Sequence, residues 1–211
     1  MNKLLIIESP NKINTIKKYL NDKEFDIVAT VGHIRDIPSN NMGFDEKTLE
    51  PHWIIPKKKK GEKESKEDIV KNIKKLASQA DTIYLATDPD REGEAISWHV
   101  WSILPEKDQK KCKRITFNEI TKPAILEALD HPRDLDDLWV KSQFSRRILD
   151  RLVGYKVSKI VRKKVKGQSA GRVQSVALKI IYDREKAIKN FKPRTWYTVD
   201  PEGKNKLTLV L

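Results

Sequence analysis

Apolar residues along this chain fall into short runs that alternate with stretches of helical period. Leu4-Leu5-Ile6-Ile7 is a continuous apolar run that ends at Glu8 and is broken by Ser9-Pro10, the pattern of a buried strand. Ile13, Ile16 and Leu20 then recur at helical spacing. Phe25 to Val31 predicts a second strand leading into Gly32-His33-Ile34-Arg35-Asp36. Ser65 stands three residues before Asp68, a capping signature, and Ile69, Ile73 and Leu76 continue it as a helix. Thr82 to Ala86 predicts a strand, EGEAISWHVWSIL a helix, Arg114 to Phe117 a strand and Lys122 to Leu129 a helix. Asn40 to Lys63 reads as an insertion or surface loop.

Strands alternating with helices predict an α/β fold, Rossmann-like, with a mostly parallel sheet covered by helices on both faces. After Pro132 the pattern changes. Asp137 to Val153 predicts a helix whose apolar face is Leu138, Phe144 or Ser145, Ile148 and Leu152, with Gly154 as its C-terminal cap. Gln168 to Ile188 predicts another, entered through Ser169-Ala170-Gly171. No strand is expected between Leu135 and Phe191, and strand character returns from Trp196. The expected organisation is an α/β domain over 1–133, a smaller all-α domain over 134–192 and the first strand or strands of a truncated β domain over 193–211.

Charge sharpens this division. The net charge of +13 is not spread evenly. Residues 1–136 carry 24 Lys/Arg against 24 Asp/Glu, whereas residues 137–194 carry 17 against 4. A neutral domain joined to a basic one suits an enzyme that acts on a polyanion, above all nucleic acid. The single Cys112 excludes an internal disulfide and a Cys₄ zinc site. There is no signal peptide and no apolar run long enough to span a bilayer, so a soluble, cytoplasmic protein is expected.

The candidate chemistry lies in DPDREGE, residues 88–94, directly after a predicted strand. Asp88, Asp90 and Glu92 occupy alternate positions, which in extended backbone point the same way. Three carboxylates together call for a cation, and Mg²⁺ is the hard ion that joins carboxylates to phosphate oxygens. In open α/β sheets ligands lie beyond the carboxyl ends of the strands, which brings Glu8 to the same edge as Asp88. Lys12, in the first turn after Glu8, suits an anion, and His33 follows a strand on that edge. Singly, each is an ordinary surface residue; the shared edge joins them.

In the basic segment Arg146, Arg147, Asp150 and Arg151 share one side of a helix, with Tyr155 eight residues beyond Arg147. Arginine and tyrosine planes can sandwich an unstacked base. Ser169-Ala170-Gly171 opens the next helix with small residues, followed by Arg172, Gln174 and Ser175, suiting a phosphate. A salt-bridged surface and a plain capped helix are the alternatives.

Taken in order, LLIIESPNKINTIKKYL, ATVGHIRDIP, YLATDPDREGEAISWHV, RITFNEIT, RRILDRLVGY and SAGRVQSVALKIIYDRE resemble the amino-terminal part of bacterial type IA DNA topoisomerases, topoisomerase I rather than topoisomerase III. The resemblance implies a TOPRIM domain followed by a domain that grips single-stranded DNA. It implies Glu8 as the acid/base near the leaving sugar oxygen, and Lys12 on the scissile phosphate. Asp88, Asp90 and Glu92, with Glu8, would form the Mg²⁺ site, and His33 falls on an active-site position. Arg146, Arg147, Asp150, Arg151, Tyr155, Arg172 and Gln174 would line the single-strand groove, Arg147 and Tyr155 enclosing an upstream base. The implied reaction relaxes negatively supercoiled DNA without ATP, through a transient 5′-phosphotyrosyl link, strand passage and religation, by a monomer associated with the nucleoid.

The chain departs from the family at the nucleophile. The only Pro-Arg-Thr is 193–195, preceded by Lys192 rather than tyrosine. None of Tyr19, Tyr84, Tyr155, Tyr182 and Tyr197 stands in such a context. The expectation is a fragment that binds DNA without cleaving it, the nucleophilic tyrosine lying outside this chain. The DPDREGE motif alone would also suit a TOPRIM primase or nuclease, and the basic segment alone a non-catalytic DNA-binding protein.

Overall fold

A computed structural model describes residues 2–20, 23–58, 61 and 64–196. Among the described residues the sheet has four strands, β1 (Lys3–Ile7), β2 (Phe25–Ala29), β3 (Thr82–Leu85) and β4 (Cys112–Arg114), all parallel in the order β2-β1-β3-β4. Successive side chains of β1 enter opposite layers, as the two-residue period of a strand requires. Leu4 and Ile6 pack with Ile69, Val70 and Ile73 of helix α2 (Lys66–Gln79) and Val100 of α3 (Arg91–Ile103). Leu5 and Ile7 pack with Ile16 of α1 (Ile13–Lys17) and Ile125 of α5 (Lys122–Asp130). A short α4 (Glu106–Gln109) leads into β4. The expected sheet with helices on both faces is present.

The order places a topological switch between β1 and β3, because the chain leaves β1 toward β2 and returns on the other side. Such a point leaves a crevice beyond the strand ends. Glu8 follows β1 and Asp88 lies just beyond β3.

Helix α2 begins as expected: Ser65 accepts from the Asp68 amide, and the Asp68 carboxylate accepts from the Ser65 amide. Other boundaries differ from the pattern. The last strand is Cys112–Arg114, not 114–117. The Arg114 backbone pairs on its far side with Arg133, and Arg114 itself is buried. The segment expected as an insertion is partly core: Phe44 is buried, Phe44 bridges to Pro51 and Asp36 to Ile54.

Helix α6 runs over Asp137–Val165, twelve residues past the expected end. Gly154 lies inside it with helical backbone. A lone glycine costs a helix about 1 kcal/mol relative to alanine but does not end it. Helix α7 covers Arg172–Lys189. The chain divides into two compact units, Met1–Lys156 and Val157–Leu211, and the divide falls within α6. In the second unit the Ser158 hydroxyl donates to the Ala170 carbonyl and accepts from the Ala170 amide, at 3.0 and 2.9 Å, tying the connection between α6 and α7. The strand expected from Trp196 onward lies, after that residue, outside the described residues. No helix among the described residues is long and apolar enough to cross a membrane.

Candidate active site

The structure brings Glu8, Lys12, His33, Asp88, Asp90 and Glu92 to one edge of the sheet, but not by the route the alternation suggested. β3 stops at Leu85, and Asp88 sits in the loop after it. Asp90 is the N-cap of α3, its carboxylate accepting the Gly93 amide at 2.7 Å, and Glu92 lies in the first helical turn. The three acids converge through a loop and a helix start rather than along a strand. The reason is visible at Gly93, where an added Cβ would stand 2.1 Å from the Asp88 carbonyl oxygen. Only glycine lets the helix begin this close to the loop.

Each acid has a partner. Lys12 Nζ lies 2.5 Å from Asp88 Oδ1, and His33 Nε2 lies 3.4 Å from Glu92 Oε1. Burial, then Asp88, Glu92 and Asp90, raises the Glu8 carboxyl above the usual range, with Lys12 acting against them. Burial lowers His33, while Glu92 and Asp36 oppose that effect. His33 follows Val31 and Gly32, both left-handed at φ 56° and 79°. That conformation is costly for valine, and Lys66 braces it by donating to the carbonyls of Thr30 and Val31.

Among the described residues no three His, Cys, Asp or Glu side chains form a ready-made metal cage. The donors are nonetheless hard oxygens, and four carboxylates act on one another electrostatically. That fits a small hard cation held by one or two carboxylates, with water and substrate phosphate completing its shell. It does not fit an ion that demands an all-protein cage.

Beside the acids, within the first unit, a cleft of about 250 Å³ is lined by His33, Asp36, Glu92 and, from α6, Arg146, Arg147 and Asp150. Aromatic rings line it too: Trp53, His99 and Phe144 meet edge-on or tilted at centroid distances of 4.5 to 5.4 Å. Arg147 is held by Asp36 through two bonds, Nε to Oδ1 at 2.9 Å and Nη2 to Oδ2 at 2.7 Å. Arg151 donates to the carbonyls of Pro38 and Asn41, and stands over the Tyr155 ring at 5.1 Å. Tyr155 donates its hydroxyl to the Ser39 carbonyl. Arg172 and Gln174 lie in the second unit, in the first turn of α7, and Gln174 Nε2 donates to Ser169 Oγ at 3.1 Å.

The model of the Toprim domain matches residues 3–120, more than half of the chain. The chain belongs to the Toprim family. A second model, described as DNA topoisomerase, matches residues 134–209 of this Toprim protein. It is 55% identical to DNA topoisomerase 1 of Mycoplasma genitalium, over 93% of this chain and 29% of that protein. It is 53% identical to DNA topoisomerase 1 of Mycoplasma pneumoniae, over 93% and 30%. It also resembles the solved full-length topoisomerase I from Thermotoga maritima, at 40% identity and a TM-score of 0.73, covering 90% of this chain and 31% of that one. The chain thus spans less than a third of the relatives it matches. The expected kinship with bacterial topoisomerase I, and the expected α/β Toprim fold followed by a helical region, are borne out.

Sequence reasoning missed several residues that build this site. Arg114 is fully buried and donates to the carbonyls of Leu85, Thr87, Asp88 and Ile115. Glu94 is equally buried and accepts from Arg114, Arg133 and the Asp136 amide. Burial works to raise Glu94, but the bonds from Arg133, Asp136 and Arg114 outweigh it and hold its carboxylate below the usual range. Glu94 lies within the acidic motif, so its position was available; its inward direction was not. Trp53 fell in the segment read as a loop.

Proposed function

We propose that this chain carries the phosphoryl-transfer centre and part of the single-strand groove of a topoisomerase I, a Mg²⁺-dependent enzyme relaxing negatively supercoiled DNA in the cytoplasm. The observation that carries the reading is the meeting of Glu8, Asp88, Asp90, Glu92 and Lys12 at one sheet edge, beside a cleft edged by Arg146 and Arg147. Residues 1–133 would hold the chemistry and 134–192 the DNA.

Asp88, Asp90, Glu92 and Glu8 would hold the ion, which when bound supplies charge stabilisation on phosphate oxygens. Lys12 would stand at the scissile phosphate and stabilise negative charge there. Glu8, with its raised carboxyl, would give a proton to the departing sugar O3′ and take it back on religation. In the forward step the P–O3′ bond breaks and a bond from phosphorus to a tyrosine oxygen forms, the hydroxyl proton of that tyrosine, which lies outside this chain, passing to solvent. His33 would hold Glu92 in place. Arg146, Arg147, Asp150, Arg151 and Tyr155 would align a single strand in the cleft; Arg172 and Gln174, in the second unit, would contact DNA.

The test is fluorescence anisotropy of a labelled single strand against a matched duplex across a salt series. Tighter binding of the single strand with a steep salt slope, weakened by Arg147→Ala, is expected. Equal binding to duplex, or indifference to Arg147→Ala, would reject the groove. A TOPRIM primase or nuclease reading would require primer synthesis or free-ended cleavage by this chain.

A further inference from the structure

Behind the acidic cluster lies a charged network that no step above uses. The Arg114 guanidinium grips the main chain of the metal loop at Leu85, Thr87 and Asp88, all at 2.9 Å. Its Nε is 3.0 Å from Glu94 Oε2. Arg133 reaches both oxygens of the same carboxylate, at 2.9 and 2.8 Å. The Asp136 amide donates to Glu94 Oε1 at 2.8 Å, and the Asp136 carboxylate accepts the Leu138 and Trp139 amides that open α6. One carboxylate thus joins α3, β4 and the entry to α6.

The charge balance matters as much as the geometry. Arg114 sets a positive charge behind Asp88 and acts on it electrostatically, while Glu94 and Asp136 balance the two guanidiniums. In front of it Asp88, Glu92 and Asp90 act electrostatically on Glu8, with Lys12 opposing them and paired with Asp88. Without the Arg114 guanidinium and its grip on the Asp88 main chain, the mutual repulsion of these carboxylates would spread the loop. Catalytic and metal sites tolerate displacements of only about 0.5 Å.

We propose that Glu94, Arg114 and Arg133 are positioning residues for the metal-binding carboxylates, fixing where Asp88 stands although none of them touches the ion. This rests on the reading of the acidic cluster as a divalent-metal site.

The test is the dissociation constant of Mn²⁺, read from the electron paramagnetic resonance of the free ion, together with the melting temperature of each protein. Glu94→Gln keeps the shape and removes the charge. It is expected to weaken Mn²⁺ binding about tenfold or more, the usual consequence of losing an outer-shell partner. Arg133→Gln, at a partly exposed position, is expected to weaken it about threefold, and serves where Glu94→Gln does not fold. Ser65→Ala, which uncaps α2 and bonds to no member of the network, lowers the melting temperature and leaves Mn²⁺ binding unchanged. Mn²⁺ binding by Glu94→Gln within twofold of the unaltered chain overturns the proposal, as does unchanged binding by Arg133→Gln where Glu94→Gln is unfolded. No Mn²⁺ binding by the unaltered chain overturns the metal reading itself, and the proposal with it.

Discussion

Lys12 Nζ and Asp88 Oδ1 stand 2.5 Å apart, although 76 residues of sequence separate them. The parallel pairing of β1 with β3 makes this meeting, because both residues lie just beyond strand ends. The pair joins the cation proposed for the phosphate to a carboxylate proposed for the metal. On that proposal each would hold the other in check until substrate and ion arrive.

Lys12→Ala should therefore act in opposite directions on the two ligands. Removing a cation beside the acids tightens Mn²⁺ binding. It weakens single-stranded DNA binding and lowers the salt slope by about 1. Paired metal and DNA titrations check this; a loss of both affinities would show that Lys12 serves mainly to hold the loop.

If Arg147 meets DNA as proposed, Asp36 competes for it. Its two bonds to the guanidinium must loosen if Arg147 is to meet a phosphate or a base. Asp36→Asn is expected to tighten single-strand binding about three- to tenfold at low salt, an effect shrinking as ionic strength rises. Anisotropy at two salt concentrations measures it, and weaker binding would mean that Asp36 positions Arg147 rather than masking it.

Gly93→Ala forces either the Asp88 carbonyl or the first turn of α3 to move, since the new Cβ would lie 2.1 Å from that oxygen. Denaturant unfolding should register a loss of about 1–3 kcal/mol. Mn²⁺ binding should weaken as well, because Asp88 belongs to the loop proposed to hold the ion. Unchanged stability would contradict the close approach.

His99 is buried and pushed down to about 2, by burial first and then by Arg35 and His33. In the unfolded chain its imidazole takes a proton below about 6.5. The folded chain cannot do so until far lower pH. The stability tied to this residue is present above about pH 6.5 and is lost as pH falls from there toward 2. Between pH 7.5 and 5.5 the loss is about 1 kcal/mol. Unfolding at those two pH values should show a smaller drop for His99→Gln than for the unaltered chain; equal drops would refute the assignment.

Much of this was legible in the sequence, and the gaps have physical causes. The apolar run Leu4–Ile7 and the capping pair Ser65 and Asp68 announced their elements, because burial and capping leave local signatures. Glu8 and Asp88 could be brought together from strand order alone. The mode of convergence was not readable: an extended pattern and a capped helix start both satisfy DPDREGE, and only the close packing of Gly93 decides between them. The end of α6 was misjudged because a glycine stops a helix only when it adopts a left-handed cap, which Gly154 does not. Arg114 was invisible as a buried group. A fully buried arginine looks like any other basic residue until its partners, here Glu94 and four carbonyls, are in place.

The central claim is that a divalent ion sits among these carboxylates with the DNA strand against it. Iron-mediated cleavage tests it most directly. Fe²⁺ replaces Mg²⁺ in the chain bound to an end-labelled single strand, and peroxide with ascorbate generates short-range radicals at the ion. The account predicts polypeptide cuts near Glu8 and Asp88 and a narrow band of cuts in the strand, both abolished by Asp88→Asn with Asp90→Asn. Cuts elsewhere in the polypeptide, or a strand cut evenly along its length, would contradict it.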